Sequence, residues 1–103
     1  MFEKDLSLSL LYDLYAPLLS EKKREAFEGY YLSDLSLSEV AEGTGTSRQA
    51  VRDLISRASS ELVQFEEKLG LLKKRKKLGE ICDTLEKNFG DLGEEGERIR
   101  EIL

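Results

Sequence analysis

A chain of 103 residues with 40% apolar content can bury one modest core, so it is one domain, or one small domain with a helical extension, and a second independent core is excluded. With 36% charged residues, one proline, no tryptophan and no valine- or isoleucine-rich runs, the composition favours an all-α fold. The net charge of −5 is uneven: residues 1–45 carry four Lys/Arg against nine Asp/Glu, residues 46–77 nine against four, and residues 78–103 three against eight, so a basic middle able to attract phosphates is framed by acidic flanks.

The first apolar series, Leu6, Leu10, Leu11, Leu14 and Leu18, follows helical spacing and is interrupted near its end by Pro17. The alternation from Leu6 to Leu10 also fits a strand, but no partner strand exists elsewhere in the chain. Ser20 is suited to cap a second helix reaching about Tyr31, with Glu21 in its first turn and Ala26, Phe27, Tyr30 and Tyr31 burying part of its surface. Ser33-Asp34 reads as a connector. Ser36 followed by Glu39 is a capping box, and Leu37, Val40 and Ala41 give a short third helix one apolar side.

Gly43-Thr44-Gly45 ends that helix, with Gly45 free to take positive φ, and Thr46 or Ser47 caps the next. From Ser47 to Leu69 nothing breaks the helix, and Val51, Leu54, Ile55, Ala58, Leu62, Phe65 and Leu69 form its stripe over about six turns. That is longer than a three-helix core can cover, so the second half must pack on something else. Gly70 ends it, and Leu71, Leu72, Leu78, Ile81, Leu85 and Phe89 or Leu92 mark a last amphipathic helix, expected to form an antiparallel hairpin with the end of its predecessor. Gly90, Gly93 and Gly96 among acidic residues read as a frayed tail. The expected organisation is a core over residues 1–60, a helical extension and dimerisation segment over 61–92, and an acidic flexible tail over 93–103.

Two helices joined by a short glycine-containing turn are the helix-turn-helix arrangement. Ala41 allows close packing, Gly45 follows four residues later, and Val51 and Leu54 hold the angle from the inner face of the second helix. With that face inward, Ser47, Arg48, Gln49, Arg52, Asp53 and Ser56 face outward where such a helix enters the major groove of DNA. Arg48 and Arg52 can donate bidentately to guanine, Gln49 can pair with adenine, and Ser47 with the helix N-terminal amides suits a phosphate oxygen; Arg57, a turn further on, is placed for the backbone. The same residues also fit a solvated i, i+4 face, and Asp53 favours that alternative because a carboxylate in the groove costs affinity. The run Lys73, Lys74, Arg75, Lys76 and Lys77 points around more than one helical turn, and reads either as a solvated, partly paired face or as phosphate contacts with DNA or RNA.

Catalysis has little support. Histidine is absent, which removes the usual general base and commonest metal ligand, and no cofactor is expected. Cys82 sits on the inner stripe as a structural thiol, and being single it forms no internal disulfide. The stretch from Gly43 to Ser47 lacks the lysine and preceding strand of a phosphate loop, and Glu94, Glu95 and Glu97 lack the spacing of a metal site. The start of the chain lacks a signal-peptide pattern and no stretch has the roughly 20 apolar residues of a membrane helix, so a cytoplasmic protein is expected.

The span LSLSEVAEGTGTSRQAVRDLISRASSEL resembles the region 4 helix-turn-helix of sigma factors, a fold without a wing. Together with YYLSDLSLSEVAE, SRQAV and EEKLGLLKK it resembles the YlxM family of small bacterial proteins, over roughly residues 8–78. Members are typically encoded beside the genes of the signal recognition particle GTPases. The resemblance implies a DNA-binding regulatory protein with a part in the signal recognition particle pathway, or an interaction module of that machinery binding the particle's protein or RNA. The stripe Leu62, Phe65, Leu69, Leu72, Leu78, Ile81 and Leu85 exceeds what one small core can hide, so a homodimer through the expected hairpin follows.

Overall fold

Pro17 has no backbone N–H and its ring crowds the preceding turn, so helix α1 (Leu6–Tyr15) gives way to a 3₁₀ turn over Ala16–Leu18. The computed structural model describes residues 6–103; residues 1–5, and the side chain of Leu6 that opens the expected apolar series, lie outside the described residues. Five further helices follow: α2 (Glu21–Phe27), α3 (Leu37–Thr44), α4 (Arg48–Leu69), α5 (Leu71–Phe89) and α6 (Gly93–Ile102). No strand occurs among the described residues, so the fold is all-α. The chain divides into two units after Leu69, whereas the expected boundary at residue 60 falls inside α4.

In the first unit α4 is the spine against which α1, α2 and α3 pack. Its stripe of Val51, Ile55, Ala58 and Leu62 is fully buried, each larger side chain contributing about 1.5–3 kcal/mol by leaving water. The first half of the spine meets Ala26, Tyr30, Val40 and Ala41. α1 covers the second half: the Tyr15 ring lies 5.8 Å from that of Phe65, and the buried Tyr15 hydroxyl donates to Glu66 at 2.7 Å. The cover that the length of α4 demands therefore comes from the start of the chain.

The buried face of α1 differs from the expected one. Leu8, Leu11, Tyr12, Tyr15 and Leu19 are buried, whereas Leu10 and Leu18 are exposed and Leu14 is half-buried. Leucines occupy both sides of this helix, and the tyrosines decide which turns inward because their rings find aromatic partners and their hydroxyls find carboxylates. Phe27 lies stacked between Tyr12 (4.6 Å, 14°) and Tyr31 (4.4 Å, 18°). The Tyr12 hydroxyl donates to Glu28, and burial, reinforced by that carboxylate, pushes its phenol above the ordinary range.

Beyond α2 the backbone widens into a π-helical turn over Glu28–Leu32. A Cβ on Gly29 would lie 2.9 Å from Val40 Cγ2, so only glycine lets α3 come this close. Lys23 Nζ meets Glu61 Oε1 at 2.9 Å, tying α2 to α4, and Ser20 caps α2 by accepting from the Lys23 N–H.

The second unit is α5 with α6. Residues 93–103, expected as a frayed tail, contain instead the ten-residue helix α6. The hairpin partner of α5 within this unit is thus α6. Gly93 supplies a φ of +63° at its start, and Gly96 is buried where a Cβ would come within 2.7 Å of Leu92 Cβ. Arg100 clasps α5 by donating to Asp83 Oδ1 (2.7 Å) and, through Nε, to Glu86 Oε1 (3.2 Å). Cys82 is buried beside Glu86, its Sγ 3.7 Å from Oε1, which fits the structural role expected of it.

Candidate nucleic-acid interface

The corner between α3 and α4 is built by three local devices. Ser36 Oγ accepts from the Glu39 N–H and Glu39 Oε1 accepts from the Ser36 N–H, both at 3.1 Å, so the capping box starts α3 as its spacing predicts. Gly45 takes the left-handed conformation (φ 68°, ψ 29°) and ends it. Ser47 Oγ then accepts from the Ala50 N–H at 3.0 Å and starts α4. Ala41 and Val51 are buried across the corner and Leu54 is partly buried against the same cluster. The four positions expected to fix the helix-turn-helix angle therefore do so.

With that stripe inward, Ser47, Arg48, Gln49, Arg52, Asp53, Ser56 and Arg57 are all exposed on the opposite side of α4. The surface combines three guanidinium groups, an amide, two hydroxyls and one carboxylate, a set able to donate to base-edge acceptors and phosphate oxygens. Ser47 keeps its hydroxyl hydrogen for a further acceptor, because its oxygen accepts in the cap.

Gln49 and Asp53 are not independent. The Gln49 Nε2 donates to Asp53 Oδ1 at 3.1 Å, one turn along the helix, leaving the amide oxygen and the second N–H for another partner. The i, i+4 spacing of the two residues carries this signal in the sequence.

Beside this face lies a cleft of about 490 Å³ between α2 and the start of α4, lined by Lys22 and Glu25 on one side and Asp53 and Arg57 on the other. Lys22 thus joins Arg57 at the flank of the exposed face, a cation that reasoning along α4 alone overlooks. Lys73, Lys74, Arg75, Lys76 and Lys77 are all exposed, and they belong to the second unit, on the first half of α5. Among the described residues no group of His, Cys, Asp and Glu is arranged to hold a metal ion, and no helix is long and apolar enough to cross a membrane.

Comparison with known proteins agrees with this geometry. Residues 2–102 match the UPF0122 family model, described as "Putative helix-turn-helix protein, YlxM / p13 like". A UPF0122 protein of Thermoanaerobacter sp. strain X514 is 47% identical over 95% of this chain and 83% of its own length. UPF0122 proteins of Geobacillus kaustophilus (42% identical over 99% of this chain and 96% of its own) and Listeria innocua (44% over 100% and 94%) are similar along the whole length. With its capped corner, its buried α4 stripe and these relatives, the chain belongs to the UPF0122, or YlxM-like, family of helix-turn-helix proteins.

Proposed function

We propose that this protein is a sequence-reading DNA-binding regulator of the sigma region 4 type, which uses the start of α4 as its recognition helix. The observation that carries the reading is the exposed set Arg48, Gln49 and Arg52 held outward by the fully buried Val51 and Ile55. Arg48 and Arg52 donate to guanine edges, Gln49 pairs with adenine, and Ser47, Ser56, Arg57 and the flanking Lys22 hold phosphates. Self-association through the unit after Leu69 completes the reading, since a dimer presents two recognition helices to paired half-sites. The protein so described works in the cytoplasm without a cofactor.

A second reading rests on the net charge of −5 and on the carboxylate of Asp53 within the recognition face. On it, the same fold serves the signal recognition particle pathway as an interaction module for the particle's protein or RNA, with the cations of α5 touching RNA phosphates. The experiment that separates the two is binding to genomic duplex fragments and to the particle RNA across a salt series, with Arg48→Ala and Arg52→Ala. Sequence-dependent loss of duplex affinity by about 1–3 kcal/mol per substitution supports the regulator. Failure of both nucleic acids to bind, with the targeting GTPase retained in a pull-down, overturns it in favour of the module.

A further inference from the structure

We infer that α5 pairs with α5 of a second copy of this chain, and that the two run antiparallel because of how charge is laid out along the second unit. This extends the self-association in the proposed function, to which it adds the surface, the orientation and the force that selects it.

The second unit holds only 34 residues and buries only Cys82 and Gly96 fully. Units below about 40 residues seldom bury enough apolar surface to stand alone. Yet α5 shows water an apolar stripe: Leu78, Ile81, Leu85 and Phe89 recur at helical spacing, with Leu71 two turns before Leu78, and all are between 37% and 77% exposed. α6 does not cover this stripe, since it is clasped through Arg100 to the neighbouring side of α5 that carries Asp83 and Glu86.

Charge identifies the occupant. Residues 70–77 carry five cations and no acid, whereas residues 78–103 carry three cations and eight acids. The unit is therefore neutral in sum, but α5, about 28 Å long, carries five cations in its first two turns and three acids against one cation over residues 78–89, the remaining acids lying on the link to α6 and on α6 itself. A parallel pair would set five cations against five. An antiparallel pair sets each basic end against the acidic end of the other copy and closes the leucine stripe in between. The basic run also occupies the N-terminal end of α5, where the helix dipole is already positive, so facing carboxylates relieve both charges. A phosphate backbone would satisfy the cations equally well, but it offers nothing to Ile81 and Leu85, which lie beside Lys77 and Glu80 along a single groove.

The test uses the full chain without nucleic acid, so its outcome does not depend on whether the recognition helix reads DNA. Sedimentation equilibrium is expected to show a dimer whose Kd rises at least roughly tenfold between about 0.05 and about 0.5 M NaCl. Ile81→Glu should abolish it, with helicity by circular dichroism as the folding control; Lys77→Glu, at an exposed position, should weaken it and carries the test should Ile81→Glu unfold. In a Cys82→Ala background, chains with Lys77→Cys should form disulfides with chains carrying Thr84→Cys in preference to their own kind. A monomer at about 100 µM, a dimer indifferent to salt, like-with-like disulfides, or association only when RNA or DNA is added would each overturn the inference.

Discussion

Gln49 donates its amide N–H to Asp53 one helical turn away, on the same exposed surface as Arg48 and Arg52. The contact gives a carboxylate that should repel DNA a second effect, because it orients the amide while lowering the local potential. Asp53→Asn removes the charge but keeps an acceptor. Duplex affinity is expected to rise roughly three- to tenfold at low salt, with the gain shrinking as salt is added. Gln49→Ala should change base preference at one position and leave the salt slope alone. Both are read by competition binding with a randomised duplex pool; a uniform change across all sequences in Gln49→Ala would refute adenine readout by this amide.

The approach of Gly29 to Val40 gives a prediction about stability. A methyl group at position 29 would meet Val40 Cγ2 at 2.9 Å, so Gly29→Ala should destabilise the first unit by about 1–3 kcal/mol. Val40→Ala opens space at a cost of its own, but the two together should cost less than their sum. Denaturant unfolding of the four chains measures the coupling.

Tyr12 predicts behaviour at alkaline pH. Its phenol is held above its ordinary value by burial and by Glu28, so the folded protein binds this proton more tightly than the unfolded chain. The stabilisation is complete below about pH 10 and is lost as the pH rises beyond it. Tyr12→Phe keeps the stack on Phe27, should cost at most about 1 kcal/mol at neutral pH, and should flatten the decline above pH 10. Thermal unfolding of both chains from pH 8 to 11 tests this.

Arg100 holds α6 on α5 through Asp83 and Glu86. Arg100→Ala should speed amide exchange across residues 93–102 and leave exchange in α4 unchanged. Equal acceleration in both helices would mean that the clasp stabilises more than its own hairpin.

The parts of the fold legible in the sequence are those that local chemistry dictates. Ser36 and Glu39 cap each other wherever a helix starts between them, Gly45 can bend the chain where other residues resist, and the α4 stripe follows helical spacing without competition. α1 is harder to phase from sequence, since Leu10 and Leu18 are as apolar as Leu8 and Leu19, and only the stacking of Tyr12 on Phe27 from another helix breaks the tie. α6 is hidden because Gly93 and Gly96 disfavour helix in isolation. Gly96 is there to be packed against, and the ion pairs of Arg100 join residues 14 and 17 positions apart, beyond any local window.

The hydroxyl of Tyr15 and the carboxylate of Glu66 are separated by 51 positions in the chain. Their meeting makes α1 a splint for the far end of the rod whose near end presents Arg48. Stiffness in that rod is then a property borrowed from a helix some fifty positions earlier in the chain. Loosening the splint would let the distal turns of α4 unwind while its exposed cations stayed in place, and on the proposed DNA-reading role that would weaken grip through compliance instead of through any lost contact.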